Sequence, residues 1–214
     1  DTFLTETNGI WEVNGEPTDA AFLSAYYKAF GQKTPQLVEI DRIPFDSDYR
    51  YIARLVENQK HARFIAIKGS PDKLFDLAAH DDQFDRQYWE KQATHFAQQG
   101  KRVIAVGYLD VATTLSEVTH EHLAVEGIKL LGLAAIIDPP RPEVVEAIAD
   151  MRRAGIRVKM ITGDSADTAR AIGSQLGLAN NIQAMTGAEV ESLSDRALAK
   201  IVPKYEIGRA SCRE

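Results

Sequence analysis

The chain has 214 residues, 44% of them hydrophobic, and a net charge of −6, enough to bury a sizeable core in one large or two small domains. Its Lys and Arg residues are scattered rather than clustered, which argues against a nucleic-acid groove. The nearest approach to a membrane span, residues 130–137, falls far short of the roughly 18–20 apolar residues required, and a single cysteine, Cys212, excludes an internal disulfide and a cysteine-built metal site.

In chain order, a polar opening leads to an alternating strand over residues 9–13. Gly15-Glu16-Pro17-Thr18-Asp19 is a turn into a helix whose stripe is Phe22, Ala25, Tyr26 and Ala29, closed by Gly31. Residues 37–43 and 50–57 read as alternating strands joined by Pro44-Phe45-Asp46-Ser47-Asp48-Tyr49, and 63–67 as a third that ends in Lys68-Gly69-Ser70-Pro71. Ser70 is a candidate N-cap and Pro71 a first helical residue for one of two helices, about 71–80 and 84–99, followed by a strand over 101–110. This half predicts an α+β domain: antiparallel strands with flanking helices.

After residue 125 the pattern changes to strand 130–137, helix 141–154, strand 156–162 and helix 165–177, which at this spacing predicts a parallel βαβ arrangement. Residues 187–200 predict one more helix. The run from Val158 ends abruptly in Thr162-Gly163-Asp164 and opens a helix, so backbone N–H groups and a positive helix end face one spot, suited to a phosphoryl group. An ordinary strand–helix junction with a capping Asp has the same form. Residues 206–214 have no apolar period and resemble the in-frame translation of a sequencing-adapter oligonucleotide. The natural sequence is therefore expected to stop near Tyr205, with the parent gene continuing.

Chemistry can be assigned to several side chains from residue type alone. Phe45, on a loop between strands, could supply a stacking face for a ring or serve as a core phenylalanine. Lys68, beside Gly69 where no side chain blocks approach, could meet a purine edge or a phosphate, or be a solvated surface lysine. Arg50 and Arg102 offer forked donors to phosphate or ribose, or simply solubilise the surface.

Five collinear pieces resemble the P-type cation-transporting ATPases, members of the haloacid-dehalogenase superfamily, over nearly all of residues 9–200. They are Gly15-Glu16-Pro17-Thr18-Asp19, Pro44-Phe45-Asp46-Ser47, Lys68-Gly69-Ser70-Pro71-Asp72, Asp138-Pro139-Pro140-Arg141-Pro142 and Met160-Ile161-Thr162-Gly163-Asp164. The resemblance implies a nucleotide-binding domain over residues 1–125, part of an α/β haloacid-dehalogenase-like (Rossmann-type) phosphorylation domain over 126–205, and a non-native tail over 206–214. It implies adenine stacking by Phe45, nucleotide contacts from Lys68, Gly69, Arg50 and Arg102, and phosphoryl contacts from Thr162 and Gly163. It further implies that Asp164 arranges phosphates and Mg²⁺, and that Asp138 and Arg141 stand at the hinge between the two domains. Asp19 stands where the family carries Glu, one methylene longer, for the adenine amino group.

By the same resemblance the cofactors are ATP and Mg²⁺, with most of the Mg²⁺ site outside this sequence. The partners are the membrane and actuator domains of a parent chain, with no nucleic acid and no direct membrane contact. The place is the cytoplasmic side of an integral membrane protein, in a prokaryotic plasma membrane. The Asp-Pro-Pro-Arg-Pro-Glu form looks most like calcium-type and related bacterial pumps. The family's phosphorylated Asp-Lys-Thr-Gly-Thr is absent, so the chain alone is expected to bind nucleotide without turnover. A soluble phosphatase of the same superfamily, or a non-catalytic nucleotide-binding module, are the alternative readings.

Overall fold

The computed structural model describes residues 2–8, 10–31, 34–137, 140–163 and 166–209. It opens with a hairpin of β1 (Phe3–Thr7) and β2 (Ile10–Asn14), in which Leu4 faces Val13 and Glu6 faces Trp11. Helix α1 (Pro17–Phe30) follows, with Pro17 in its first turn, where the missing N–H costs nothing. Gly31, at φ 80°, ends the helix and donates its N–H to Tyr27 O at 2.9 Å. The polar opening thus contains a strand, β1, that its sequence pattern did not announce.

The main sheet is built from β3 (Val38–Ile43), β4 (Tyr51–Glu57), β5 (Arg63–Gly69), β6 (Arg102–Val111) and β7 (Lys129–Ile136), side by side in chain order and antiparallel throughout. The β4–β5 turn is tied by Asn58, whose Oδ1 accepts from the N–H of Lys60 and of Ala62 at 2.9 and 3.1 Å. Helices α2 (Pro71–Ala78) and α3 (Arg86–Gln98) span β5 to β6, and α4 (His120–Glu126) spans β6 to β7. Alternation sends Ala53, Leu55, Ile65, Ile67 and Ala105 to one face, where they close over Leu74, Phe75 and Ala78 of α2 and Leu123 of α4. At roughly 25 cal/mol per Å² of apolar surface removed from water, such a layer supplies the main drive to fold. The expected α+β architecture with an antiparallel sheet is what forms.

Strand 130–137 was expected in a parallel βαβ unit. It lies instead at the edge of the antiparallel sheet, seven β6–β7 pairs running from Arg102 opposite Ile136 to Tyr108 opposite Lys129. The physical reason is local. Helix α4, too short to be visible as an apolar period, turns the chain through Gly127 at φ 73° and returns it beside β6. A continuous apolar run does not distinguish a parallel strand from an antiparallel edge strand.

The remainder comprises α5 (Pro142–Arg153), β8 (Met160–Thr162), α6 (Ala166–Gln175), β9 (Ala184–Met185), α7 (Gly187–Glu191), α8 (Asp195–Ile201) and β10 (Ile207–Arg209). β8, β10 and β9 form a small parallel sheet with β10 in the middle. The patternless stretch after residue 205 therefore supplies a strand, and the helix expected over 187–200 is two helices. Helix α6 packs on α3, and Thr168 Oγ1 donates to Lys101 O at 3.1 Å.

Candidate functional site

Because Ile65 and Ile67 of β5 point into the core, Phe64, Ala66 and Lys68 face the other way, beside Ile52 and Arg54 of β4 and Val106 and Tyr108 of β6. Ala66 is exposed at the middle of the central strand, so this face is an open floor. Helix α1 stands at its Lys68 end. The Lys68 ammonium is ion-paired with Asp19 and sits 5.3 Å from the centre of the Phe22 ring, a cation–π distance. Asp19 and Phe22 are three residues apart on α1, hence on one face of it. A donor and an acceptor are thereby set side by side, and a purine edge offers the complementary pair.

A second group forms where β4 and β5 meet. Tyr51 pairs with Gly69, and a Cβ at Gly69 would lie 2.5 Å from both Arg50 O and Tyr51 Cβ, so only glycine fits. Arg50 takes a left-handed φ of 55°. Its N–H donates to Asp46 O at 2.7 Å and its carbonyl accepts from Ser70 N–H at 3.0 Å. Its guanidinium pairs with Asp72 in the first turn of α2. Asp46 Oδ1 also accepts from Asp48 N–H at 2.7 Å, so residues 46–50 are bonded into a turn. Just before it Phe45 presents a ring 64% exposed. A ring held out beside a bonded turn is a platform for a flat heterocycle. Ser70 occupies the N-cap position, but its side chain makes no cap bond and its Oγ is buried without a partner among the described residues.

Arg102 begins β6, exposed, four residues from Val106, which opposes Lys68. At about 3.3 Å per residue it lies about 13 Å along the strand, toward the end where β5 stops. Arg141 is the exposed N-cap residue of α5, its carbonyl accepting from Val144 N–H at 3.0 Å. Thr162, half-buried, ends β8 opposite Arg209, and Gly163 is exposed with nothing within 4 Å of the place a Cβ would take. Asp138 and Asp164 lie outside the described residues.

The structure thus joins Asp19 to Lys68, and Arg50 to Gly69, while Thr162 and Gly163 belong to the separate three-stranded sheet. Two participants were given no site role from the sequence. Phe22 could have been found from its spacing to Asp19; Asp72, quoted in its motif but given no role, is the counter-charge of Arg50.

The sequence that builds this open antiparallel floor, its Lys–Asp pair and the exposed ring of Phe45 matches a known family. The family described as "P-type ATPase, cytoplasmic domain N" matches residues 2–143, and the chain belongs to it. That stretch includes β7, in keeping with its place in the antiparallel sheet. Among curated relatives, a calcium-transporting ATPase of Bacillus subtilis is 35% identical over 97% of this chain and 25% of its own length. A cation-transporting ATPase of Synechocystis is 38% identical over 84% of this chain and 21% of its own length. A calcium-transporting ATPase of Lactococcus lactis is 35% identical over 90% of this chain and 23% of its own length. The chain thus spans about a quarter of the length of these relatives.

Proposed function

We propose that this chain is the ATP-binding portion of a membrane cation pump, in which ATP hydrolysis through an aspartyl-phosphate intermediate drives ion transport. The observation that carries the proposal is the Lys68–Asp19 pair over an exposed sheet floor, with Phe45 held out from the adjoining loop. Phe45 stacks on adenine, Lys68 and Asp19 read its edge, and Arg50 and Arg102 meet ribose and phosphates, while Gly69 keeps the approach open. Adenine recognition by one donor and one acceptor side by side discriminates against a purine with the reverse pattern, because a mismatch leaves a desolvated group unpaired.

The remainder, in this proposal, is part of a haloacid-dehalogenase-like phosphorylation domain. Thr162 and Gly163 hold the transferred phosphoryl group, Asp164 helps arrange Mg²⁺ and phosphates, and Asp138 and Arg141 act at the hinge. A hydroxyl, an open backbone and a carboxylate ahead of a helix suit phosphoryl transfer, which is chiefly positioning and charge neutralisation. Among the described residues no group of three or more His, Cys, Asp or Glu gathers to hold a metal. The membrane and actuator domains of the parent chain are the partners, the cytoplasmic face of a prokaryotic plasma membrane is the location, and calcium, carried in the names of two relatives, is the candidate ion. Residues 206–214 remain, in this reading, a non-native addition.

The expected affinity for ATP is about 0.1–1 mM, equivalent to about 4–5.5 kcal/mol. Calorimetric titration of the chain and of its Lys68→Ala and Asp19→Ala variants tests it. Both variants should bind ATP at least about threefold more weakly; unchanged binding in both would remove Lys68 and Asp19 from the site.

A further inference from the structure

Beside the nucleotide loop lies an aromatic cluster that the proposed site does not use. The Tyr49 ring stacks on the His120 imidazole with centroids 3.5 Å apart and planes at 11°. Tyr51 meets the same imidazole at 60°, its hydroxyl 2.6 Å from Nδ1. Tyr51 is only 4% exposed, so its hydroxyl depends on that nitrogen as hydrogen-bond partner. His120 itself is the first residue of α4, and α4 cannot drift. Leu123 is fully buried and Val118 nearly so, Val118 N–H donates to Asp41 Oδ2 at 2.8 Å, and Thr119 caps the helix by accepting from His122 N–H. A segment some 70 positions away in the chain is thereby fastened to both ends of a three-residue stretch centred on Arg50.

The consequence falls on Arg50, whose left-handed backbone is costly for a residue with a Cβ and persists only when its surroundings over-determine it. Tyr49 before it is clamped by the stack, Tyr51 after it by the hydrogen bond, and its carbonyl by Ser70 N–H. Phe45 is five residues back from Arg50 and adjoins Asp46, whose carbonyl and carboxylate tie the turn. We propose that His120 is a positioning residue for nucleotide binding: through Tyr49 and Tyr51 it holds the 44–50 loop so that Phe45 and Arg50 are pre-set for the ligand. The inference rests on the nucleotide reading of the preceding subsection. Binding energy that would go into ordering the loop is then retained as affinity.

The test uses the full chain with ATP as probe and amide hydrogen exchange as a second readout. Tyr49→Ala and His120→Ala should raise the Kd for ATP about 3–10-fold, whereas Tyr49→Phe, which keeps the stacked ring, should stay within about twofold of the parent. Tyr51→Phe keeps the ring and removes only the hydroxyl, and should fall between. In Tyr49→Ala the amides of Arg50, bonded to Asp46 O within the loop, and of Ser70, bonded to Arg50 O, should exchange about tenfold faster while those of Ile65 and Ile67 keep their rates. Unchanged Kd in Tyr49→Ala and His120→Ala, with Phe45→Ala and Lys68→Ala still losing affinity, overturns the role of His120 and leaves the nucleotide site standing. Loss of protection along β5 together with the loop would make His120 a general stabiliser and also overturn it. If Phe45→Ala and Lys68→Ala bind as the parent does, the nucleotide reading itself falls.

Discussion

At the scale of single residues the site depends on groups held in unusual settings. In the proposed site Phe45 is the stacking ring, so Phe45→Ala should weaken ATP binding by about 1–2 kcal/mol while leaving the melting temperature nearly unchanged, since an exposed ring contributes little to the core. Gly69 behaves in the opposite way. Its missing side chain leaves room for the Arg50 carbonyl, and Gly69→Ala should cost about 1–3 kcal/mol in denaturant unfolding as β4 is pushed from β5. Tyr51 gives a pH signature. Burial, aided by the neighbouring Tyr49, raises its pKa above the ordinary 10.0. The folded state therefore holds this proton more tightly than the unfolded state. That stabilisation is complete below the unfolded pKa and is lost as pH rises through it toward the folded value. Unfolding measured from about pH 9 to about pH 11 should show the parent losing stability more steeply than Tyr51→Phe; parallel curves would mean that Tyr51 ionises freely in the fold.

At the scale of elements, the decisive one is β7. It pairs with β6 along seven positions, and with Ile128 it covers the edge of the core, so a chain ending at residue 125 exposes β6 and should be poorly folded. A chain ending at 137 should unfold cooperatively, and circular dichroism melts of the two decide it; equal melts would show β7 to be dispensable. This element also marks how far the sequence could be read. Strands β3 to β6 and helices α1 to α3 were legible because apolar periodicity and the Gly or Pro boundaries agreed there, even though Ser70 makes no cap bond. The Lys68 and Phe45 motifs were legible for the same reason, each sitting at the end of a clear strand. What escaped was whatever depends on contacts remote in sequence: the antiparallel destination of β7, the short α4, the pairing of Arg50 with Asp72 and the stack of Tyr49 on His120. No local period encodes a partner some 70 positions away.

At the scale of the whole molecule, burial is uneven. The five-stranded sheet closes over a layer of fully buried side chains, whereas past residue 140 Val144, Val145, Met151, Ile156 and Ile161 are exposed and the three-stranded sheet has strands of two or three residues. Limited proteolysis should cut first between residues 142 and 205 and leave a resistant piece ending near β7; survival of the second part with digestion of the first would contradict this division. Without an Asp-Lys-Thr-Gly-Thr run the chain should form no acid-stable, hydroxylamine-sensitive phosphoprotein with labelled ATP, and a band of that kind would reveal a nucleophile elsewhere. The nucleotide site itself is tested most directly by titrating the ¹⁵N-labelled chain with ATP and following its amide NMR signals. The shifts should concentrate at Phe45, Arg50, Lys68, Gly69 and Arg102 and reach half their full size at about 0.1–1 mM. No shift at these residues at several times that concentration, or shifts gathered only on α5 and α6, would contradict an ATP site on the open face of the sheet.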